Sequence, residues 1–255
     1  MSTTDPLAFV RAQTLAPAGE GYATTKALNT FEAGEDEASA FLNSRNIVSF
    51  VSGVAGQARR DVLNATLFAQ LAADNDHPRM KQPEEWLNRY RDILNKIGWN
   101  LEAGESRNYS SEVNEFDMNK ALLKIMGGAL LGPVSQLAII TATLDALKDL
   151  GEGSDDIKVF ERRLQELDTT SFQLGLASEE NEAVSLTLST FSVKTTEGTR
   201  RILFFKGGKD EVKLSYHLIQ GTLNDEIYGE VRQDIVEMLG DRAKKSLLGI
   251  KLAKV

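Results

Sequence analysis

The chain has 255 residues, 26% of them charged, a formal net charge of -8 and no cysteine. That length makes one large domain or two small ones and needs no covalent staple. Without thiols there are no disulfides, thiolate nucleophiles, iron–sulfur clusters or cysteine-based zinc sites, which fits a reducing compartment. Net negative charge opposes a polyanionic partner, and no compact basic stripe overturns it, so nucleic acid is not expected.

In chain order, MSTTDPLAFVRAQ lacks the basic and apolar regions of a secretory signal. The chain is therefore expected to be cytoplasmic as made and, if exported, to leave by another route. Residues 1–35 show little periodicity and read as a flexible arm, poorly ordered or draped over the body. GEDEAS (Gly34–Ser39) has the acids of a helix start. From Asn46 to Ala73, Ile47, Phe50, Val51, Val54 and Ala58 share one helical face. Val62, Ala65, Leu67, Phe68 and Leu71 continue it, as one bent helix or two helices interrupted near Gly53 and Gly56. After the loop DNDHPRMKQP, Pro83 opens the clearest amphipathic helix, with Trp86, Leu87, Tyr90, Ile93, Leu94 and Ile97 on one side and Gly98 at its end. Trp99, Leu101 and Ala103 alternate as a short edge strand, and polar loop follows through Glu115.

A helix starting near Asp117 runs into IMGGALLGPVSQLAIITATL (Ile125–Leu144), which is uncharged throughout. Gly132-Pro133 breaks it into a helical hairpin. The run is expected to be deeply buried as the organising core or to meet a membrane; each arm of the hairpin is too short to cross one. Gly128 and Gly132 make a GxxxG spacing at which a neighbouring helix is expected to cross. Ser154 caps a further helix over Asp155–Leu167.

Near Ser171 the period changes to two. Phe172, Leu174 and Leu176 alternate, then Val184, Leu186 and Leu188. Phe191 and Val193 follow in the opposite phase, for which a bulge at Ser189 or Thr190 would account. Ile202–Phe205 is apolar on both faces and reads as a central strand. Val212, Leu214, Tyr216 and Leu218 give the next, and the joints SEEN, TTEG and GGKD are turn-like, so the four strands form an antiparallel meander. Asn224 caps a last helix with Ile227, Val231, Ile235, Met238 and Leu239 buried, followed by a frayed basic tail. The fold class is α+β. A helical N-terminal body (36–168) surrounds the buried hairpin, and a meander with its C-terminal helix (169–255) completes one domain of residues 36–255.

The chemistry on offer is sparse. There are two histidines, His77 in a loop and His217 in a strand; both read as ordinary surface or interface residues, and no third completes a histidine metal site. No GxSxG, HExxH, Walker A or EF-hand pattern occurs. Glu84–Glu85 and Asp155–Asp156 sit at helix starts, where the macrodipole accounts for them. No catalytic, metal or cofactor residue is assigned, and no cofactor is expected.

Three stretches together carry a family resemblance: DVLNATLFAQLAA (Asp61–Ala73) with WLNRYRDILNKIGW (Trp86–Trp99), the strand block ending in RRILFFK (Arg200–Lys206), and LNDEIYGEVRQDIVEMLGD (Leu223–Asp241). In this arrangement, over residues 45–245, the chain resembles the Erwinia virulence factor (Evf) group, which has bacterial and fungal relatives. The resemblance implies an unusual single-domain α/β fold and persistence in an insect host, with a membrane link through an acylated cysteine. This chain has no cysteine, so that anchor does not transfer, nor does any functional residue. The leading expectation is a non-enzymatic, virulence-factor-like interaction protein whose partner is a protein or a lipid membrane. Its candidate contact segment is Gly128, Leu130, Leu131, Gly132, Pro133, Leu137, Ile139 and Ile140. The alternative is a hydrolase-like enzyme built from scattered carboxylates and Ser/Thr.

Overall fold

A computed structural model describes residues 5–22, 35–110, 114–130, 132–151, 154–166, 169–195, 201–208 and 211–253. In chain order the first half carries α1 (Pro6–Arg11), β1 (Ser39–Asn43), β2 (Asn46–Phe50), α2 (Gly56–Asp76), α3 (Pro83–Lys96), β3 (Trp99–Leu101), β4 (Ser106–Tyr109) and β5 (Glu115–Asp117). The hairpin helices α4 (Met118–Ala129) and α5 (Val134–Leu150) follow, then α6 (Asp155–Leu164), β6 (Gln165–Glu166), β7 (Thr169–Glu180) and β8 (Ala183–Thr195). The chain closes with a single 3-10 turn (Ile202–Phe204), β9 (Lys206–Gly208), β10 (Val212–Leu223), α7 (Asp225–Leu239), α8 (Asp241–Ser246) and β11 (Leu247–Ile250).

Among the described residues, nine strands make one sheet in the order β11-β1-β2-β7-β8-β10-β3, with β4 on β10 and β6 on β7. Every pairing is antiparallel except that of β2 with β7. Helices cover both faces. One core joins Phe9, Val62, Phe68, Trp86, Ile93, Leu94, Tyr228 and Ile235 from α1, α2, α3 and α7 to Val48, Phe50, Leu186, Leu188 and Ile219 of the sheet. The other joins Leu122, Met126, Ile140, Leu144 and Phe160 from α4, α5 and α6 to Ile47, Phe172, Leu174, Phe191 and Val193. The class is α+β, with the sheet in the middle. The uncharged hairpin is therefore not the centre of a helical body; it is half of one outer layer.

Local chemistry explains the elements that the sequence placed well. Helix α3 has Pro83 at its start, Glu84 and Glu85 in its first turn and Lys96 in its last, so both ends suit the macrodipole. Asn224 Oδ1 accepts from the Ile227 amide at 3.2 Å and opens α7. Asp117 does the same for the Lys120 amide at 3.2 Å and opens α4. Ser154 caps α6 through the Ile157 amide. The face Trp86, Leu87, Tyr90, Ile93, Leu94 and Ile97 is buried as its spacing requires.

Several of the differences share a cause, burial on two faces. Asn46–Phe50 is a strand whose residues are all buried, so it lacks alternation, and its apolar residues also satisfy a helical period. Gly34 lies outside the described residues, and GEDEAS leads into β1 at Ser39. No bulge occurs at Ser189 or Thr190: β8 keeps one register with β7 and with β10 along its length. Its apolar phase changes because Val184, Leu186 and Leu188 enter one core, whereas Phe191 and Val193 enter the other. Ile202–Phe204 is a 3-10 turn, not a central strand. Lys206–Gly208 pairs with Glu115–Asp117 in a separate small sheet, and β8 pairs directly with β10. The consecutive meander thus has three strands in the main sheet. Polar residues 106–109 form β4 rather than loop, and the C-terminal tail adds β11 beside β1. On α7, Tyr228 takes the buried position expected of Ile227, which is exposed. Leu131, Leu167 and most of the TTEG joint lie outside the described residues.

Candidate functional site

The turn between α4 and α5 brings the candidate contact segment to one outer end of the fold. Gly128, Gly132 and Pro133 are exposed, Leu130 and Leu137 are half-buried against the core, and Ile139 and Ile140 are buried. Leu131 lies outside the described residues. Val134, the first residue of α5, is 87% exposed, the most exposed large apolar side chain among the described residues. Among the described residues no helix crosses at the GxxxG spacing: a Cβ added at Gly128 meets nothing within 4 Å, and the nearest atoms to one at Gly132 belong to the flexible Gln136 side chain. The close approach is one residue earlier, where a Cβ on Gly127 would stand 3.2 Å from Leu137 Cδ2. The hairpin contacts the sheet mainly through apolar side chains. Polar contacts to the sheet include Ser49 Oγ with Thr143 Oγ1 at 2.9 Å, and Gln220 Nε2 donating to the Ala129 carbonyl at 3.0 Å. No described helix is long and apolar enough to cross a membrane.

A second region lies on the opposite face of the sheet. That face is apolar where it carries Leu186, Leu188 and Ile219, and it turns polar towards its other end. Register aligns Ser171, Ser192, Ser215 and Asn108 in one cross-strand row, and Gln173, Thr190, His217 and Ser106 in the next. The α2–α3 loop lays Arg79 over this floor. Its Nε donates to Ser171 Oγ at 2.9 Å, and its guanidinium carbon stands 3.9 Å from the Trp86 ring centroid. Trp86 is stacked on Tyr90 at 5.1 Å and donates from its indole nitrogen to Asp74 at 2.7 Å. The cleft between floor and loop has a volume of about 330 Å³. Arg79 is 3% exposed and neither terminal nitrogen has a protein partner. Burial brings its pKa down to about 9, with Asp74 opposing the shift, so it stays a cation at neutral pH.

His217, which reads in the sequence as an ordinary surface or interface residue, is buried in this floor. Its Nδ1 meets Ser106 Oγ at 3.1 Å, and its Nε2 has no partner. Burial first, and Arg91 second, lower its pKa, so the imidazole is neutral at pH 7. Without a carboxylate on Nε2, the serine–histidine pair lacks the group that orients the base in hydrolytic triads. In the sequence Arg79 lies in a loop, and the phase change at Ser189–Thr190 reads as a bulge. That change was the signal: the expected apolar positions on one face are instead Thr190 and Ser192.

No family model and no curated protein matches the sequence. Among solved structures, the fold is similar to a delta-endotoxin (12% identity, 71% of this chain and 83% of that one, TM-score 0.45). It is also similar to the Evf virulence factor (10%, 86% and 90%, TM-score 0.38). A third is the activated Cyt2Ba monomer of Bacillus thuringiensis subsp. israelensis (11%, 72% and 99%, TM-score 0.42). The Evf virulence factor, whose group the sequence resembles, is thus among the solved structures that match, at an identity and a TM-score that carry no residue role and no activity across.

Proposed function

We propose that the chain is a non-enzymatic interaction protein whose α4–α5 hairpin tip is its contact segment with a lipid bilayer. The observation that carries this reading is an uncharged tip that faces solvent. From Lys124 to Leu130 along α4 is about 9 Å, and from Val134 to Asp145 along α5 about 16 Å, at 1.5 Å per helical residue. Interfacial helices bury their apolar parts about 5–10 Å into the headgroup and acyl boundary. Along its own two helices the tip therefore reaches that depth before a charged residue of the hairpin has to follow, although Asp36 and Glu37 share a cleft with Ser135 and Ile139 at the start of α5. Val134 leads, with Pro133 and Leu130 beside it, and the apolar seam behind the tip has few polar contacts to break. A net charge of -8 carries a desolvation cost at any bilayer at neutral pH, and it fades as carboxylates protonate, so contact strengthens on acidification whatever the headgroup charge.

The test uses the absence of native thiols. Ala138 is exposed on α5, and Ala138→Cys carries a single environment-sensitive dye. With phosphatidylcholine vesicles, the expected result is a blue shift at about pH 5, near the sequence pI, and little change at pH 7. Unchanged emission at both pH values overturns the proposal.

A further inference from the structure

We infer that the cleft under Arg79 is a binding site for a small oxyanion, the carboxylate or phosphate group of a ligand that pairs with the two free nitrogens of the guanidinium. The inference is independent of the hairpin reading, since the cleft lies across the sheet from α4 and α5.

The molecule supplies its own control. Arg59 is buried to the same degree, at 2% against 3% for Arg79. All its nitrogens are used: Nε donates to the Val54 carbonyl at 3.0 Å, Nη1 to Ser39 Oγ at 3.1 Å, and Nη2 to the Glu35 and Glu37 carbonyls at 3.1 and 3.0 Å. That is how this fold satisfies a structural arginine. Arg79 has one such bond, and its two terminal nitrogens are buried without a protein acceptor; they are closed to water as well, so a ligand reaches them only when the side chains over them shift. A charge removed from water without a partner is strongly disfavoured. The carboxylate that acts on Arg79, Asp74, is bonded to the Trp86 indole, and a second cation, Arg45, acts on Arg79 in the opposite sense.

The surroundings are arranged for an anion. The Ser171 bond and the Trp86 ring hold the guanidinium plane, and a fixed fork of two parallel N–H groups matches a carboxylate or phosphate edge. Across the cleft, Thr190, Ser192 and Ser215 offer hydroxyl donors from adjacent strands. These hydroxyls occupy positions that a purely structural sheet face covered by helices would fill with apolar side chains, as the same face does at Leu186 and Leu188. At the rim Arg107 adds positive charge and Glu84 negative charge, both exposed. A volume of about 330 Å³ is at the small end of ligand sites, so the ligand is a small molecule or one end of a chain, not a polymer.

The experiment is calorimetric titration of the full chain with inorganic phosphate, acetate and octanoate at constant ionic strength, with Trp86 fluorescence as a second readout. At least one oxyanion is expected to bind saturably where chloride does not. Tighter phosphate than acetate assigns a phosphoryl ligand. Tighter octanoate than acetate assigns the carboxylate of an acyl chain. Arg79→Gln should abolish binding; Ser192→Ala, which keeps the guanidinium, should weaken it about tenfold, the size expected from losing one charge-assisted bond. No saturable binding of any of the three by the wild-type chain overturns the inference. Binding that survives both substitutions overturns it equally, and Ser192→Ala keeps the test open if Arg79→Gln does not fold.

Discussion

Asp61 carries the most consequential charge outside the cleft. It sits on α2 with its side chain 3% exposed, receives Arg232 Nε at 3.0 Å and Nη2 at 3.0 Å, and receives Gln57 Nε2 at 2.8 Å. Burial is the largest influence on its carboxyl and raises its pKa, although Arg232 and Gln57 pull the other way. Removal from water therefore outweighs pairing. The folded carboxyl keeps its proton to higher pH than the unfolded one. The stability it contributes is fully present below the unfolded carboxylate range and is lost as pH rises through the folded pKa. Arg232→Gln removes the main opposing cation, so the carboxylate becomes costlier to ionise and the loss of stability should grow between pH 4 and pH 7. At pH 7 it should reach about 3 kcal/mol, the low end for breaking a buried pair, because Arg232 is partly exposed. Urea unfolding at the two pH values measures it, and a loss that does not change with pH rules out ionisation of Asp61 as the cause. Nothing in the local sequence marked Asp61. It follows Arg59 and Arg60 in a charged stretch, and the arrival of α7, whose Arg232 is 171 residues away in sequence, helps to bury it.

Among the elements, α3 and α7 were legible because each presents one face to the core and has its caps in sequence. The strands were legible where apolar residues alternate with polar ones or glycine, as Phe172, Leu174 and Leu176 do with Gln173 and Gly175 in β7, even though both of its faces are buried. β2 was hidden because it packs helices on both sides, and Ile202–Leu203 imitated a central strand because both residues are buried in a turn. Amide exchange should reflect this. Protection near the global limit is expected in β7, which has β2 on one side and β8 on the other. Ile202–Phe205 has single turn bonds, from the Phe204 amide to the Arg201 carbonyl at 3.0 Å and from Phe205 to Ile202 at 3.2 Å, and should exchange faster. The reverse order of protection would mean that the sheet is wrongly assembled around β7. The β7–β8 turn gives a second test. Asn181 and Glu182 both take positive φ, 50° and 66°, as a two-residue type I′ hairpin requires. Asparagine tolerates this and glutamate does not, so Glu182→Gly should raise stability by about 0.5–1 kcal/mol. A lower urea midpoint in that variant would show that the glutamate side chain contributes more than its backbone strain costs. On α3, Leu94→Ala should cost about 2–5 kcal/mol, whereas Asn88→Ala on the exposed side should change little.

At the scale of the whole molecule, the two helical layers are fastened to the sheet differently. The α2–α3–α7 layer is locked by buried polar bonds: Asn43 Nδ2 to the Leu63 carbonyl and Thr66, Arg59 to Ser39, and Tyr228 Oη to the Asp61 carbonyl. The hairpin is fastened mainly by apolar contact, which a bilayer can replace, whereas directional polar bonds have no substitute in lipid. This asymmetry was invisible in the sequence, which showed an uncharged run but not which partner it packs on. It separates two depths of membrane action, a tip that dips while the layer stays closed and a layer that parts from the sheet. Ser49 and Thr143 decide between them. Their hydroxyls meet at 2.9 Å across the seam, so Ser49→Cys with Thr143→Cys places a disulfide between sheet and hairpin in a chain with no other thiol. The loop closed spans 94 residues in sequence separation, for which chain entropy gives about 4–5 kcal/mol of stabilisation when strain is small. Flotation of the oxidised variant with phosphatidylcholine vesicles at acidic pH should match the wild type, because the tip is untouched. Dye release should vanish on oxidation and return on reduction, because exposing Ile139, Ile140 and Leu144 to lipid requires the seam to open. Release that persists in the oxidised protein would show that the closed layer is enough.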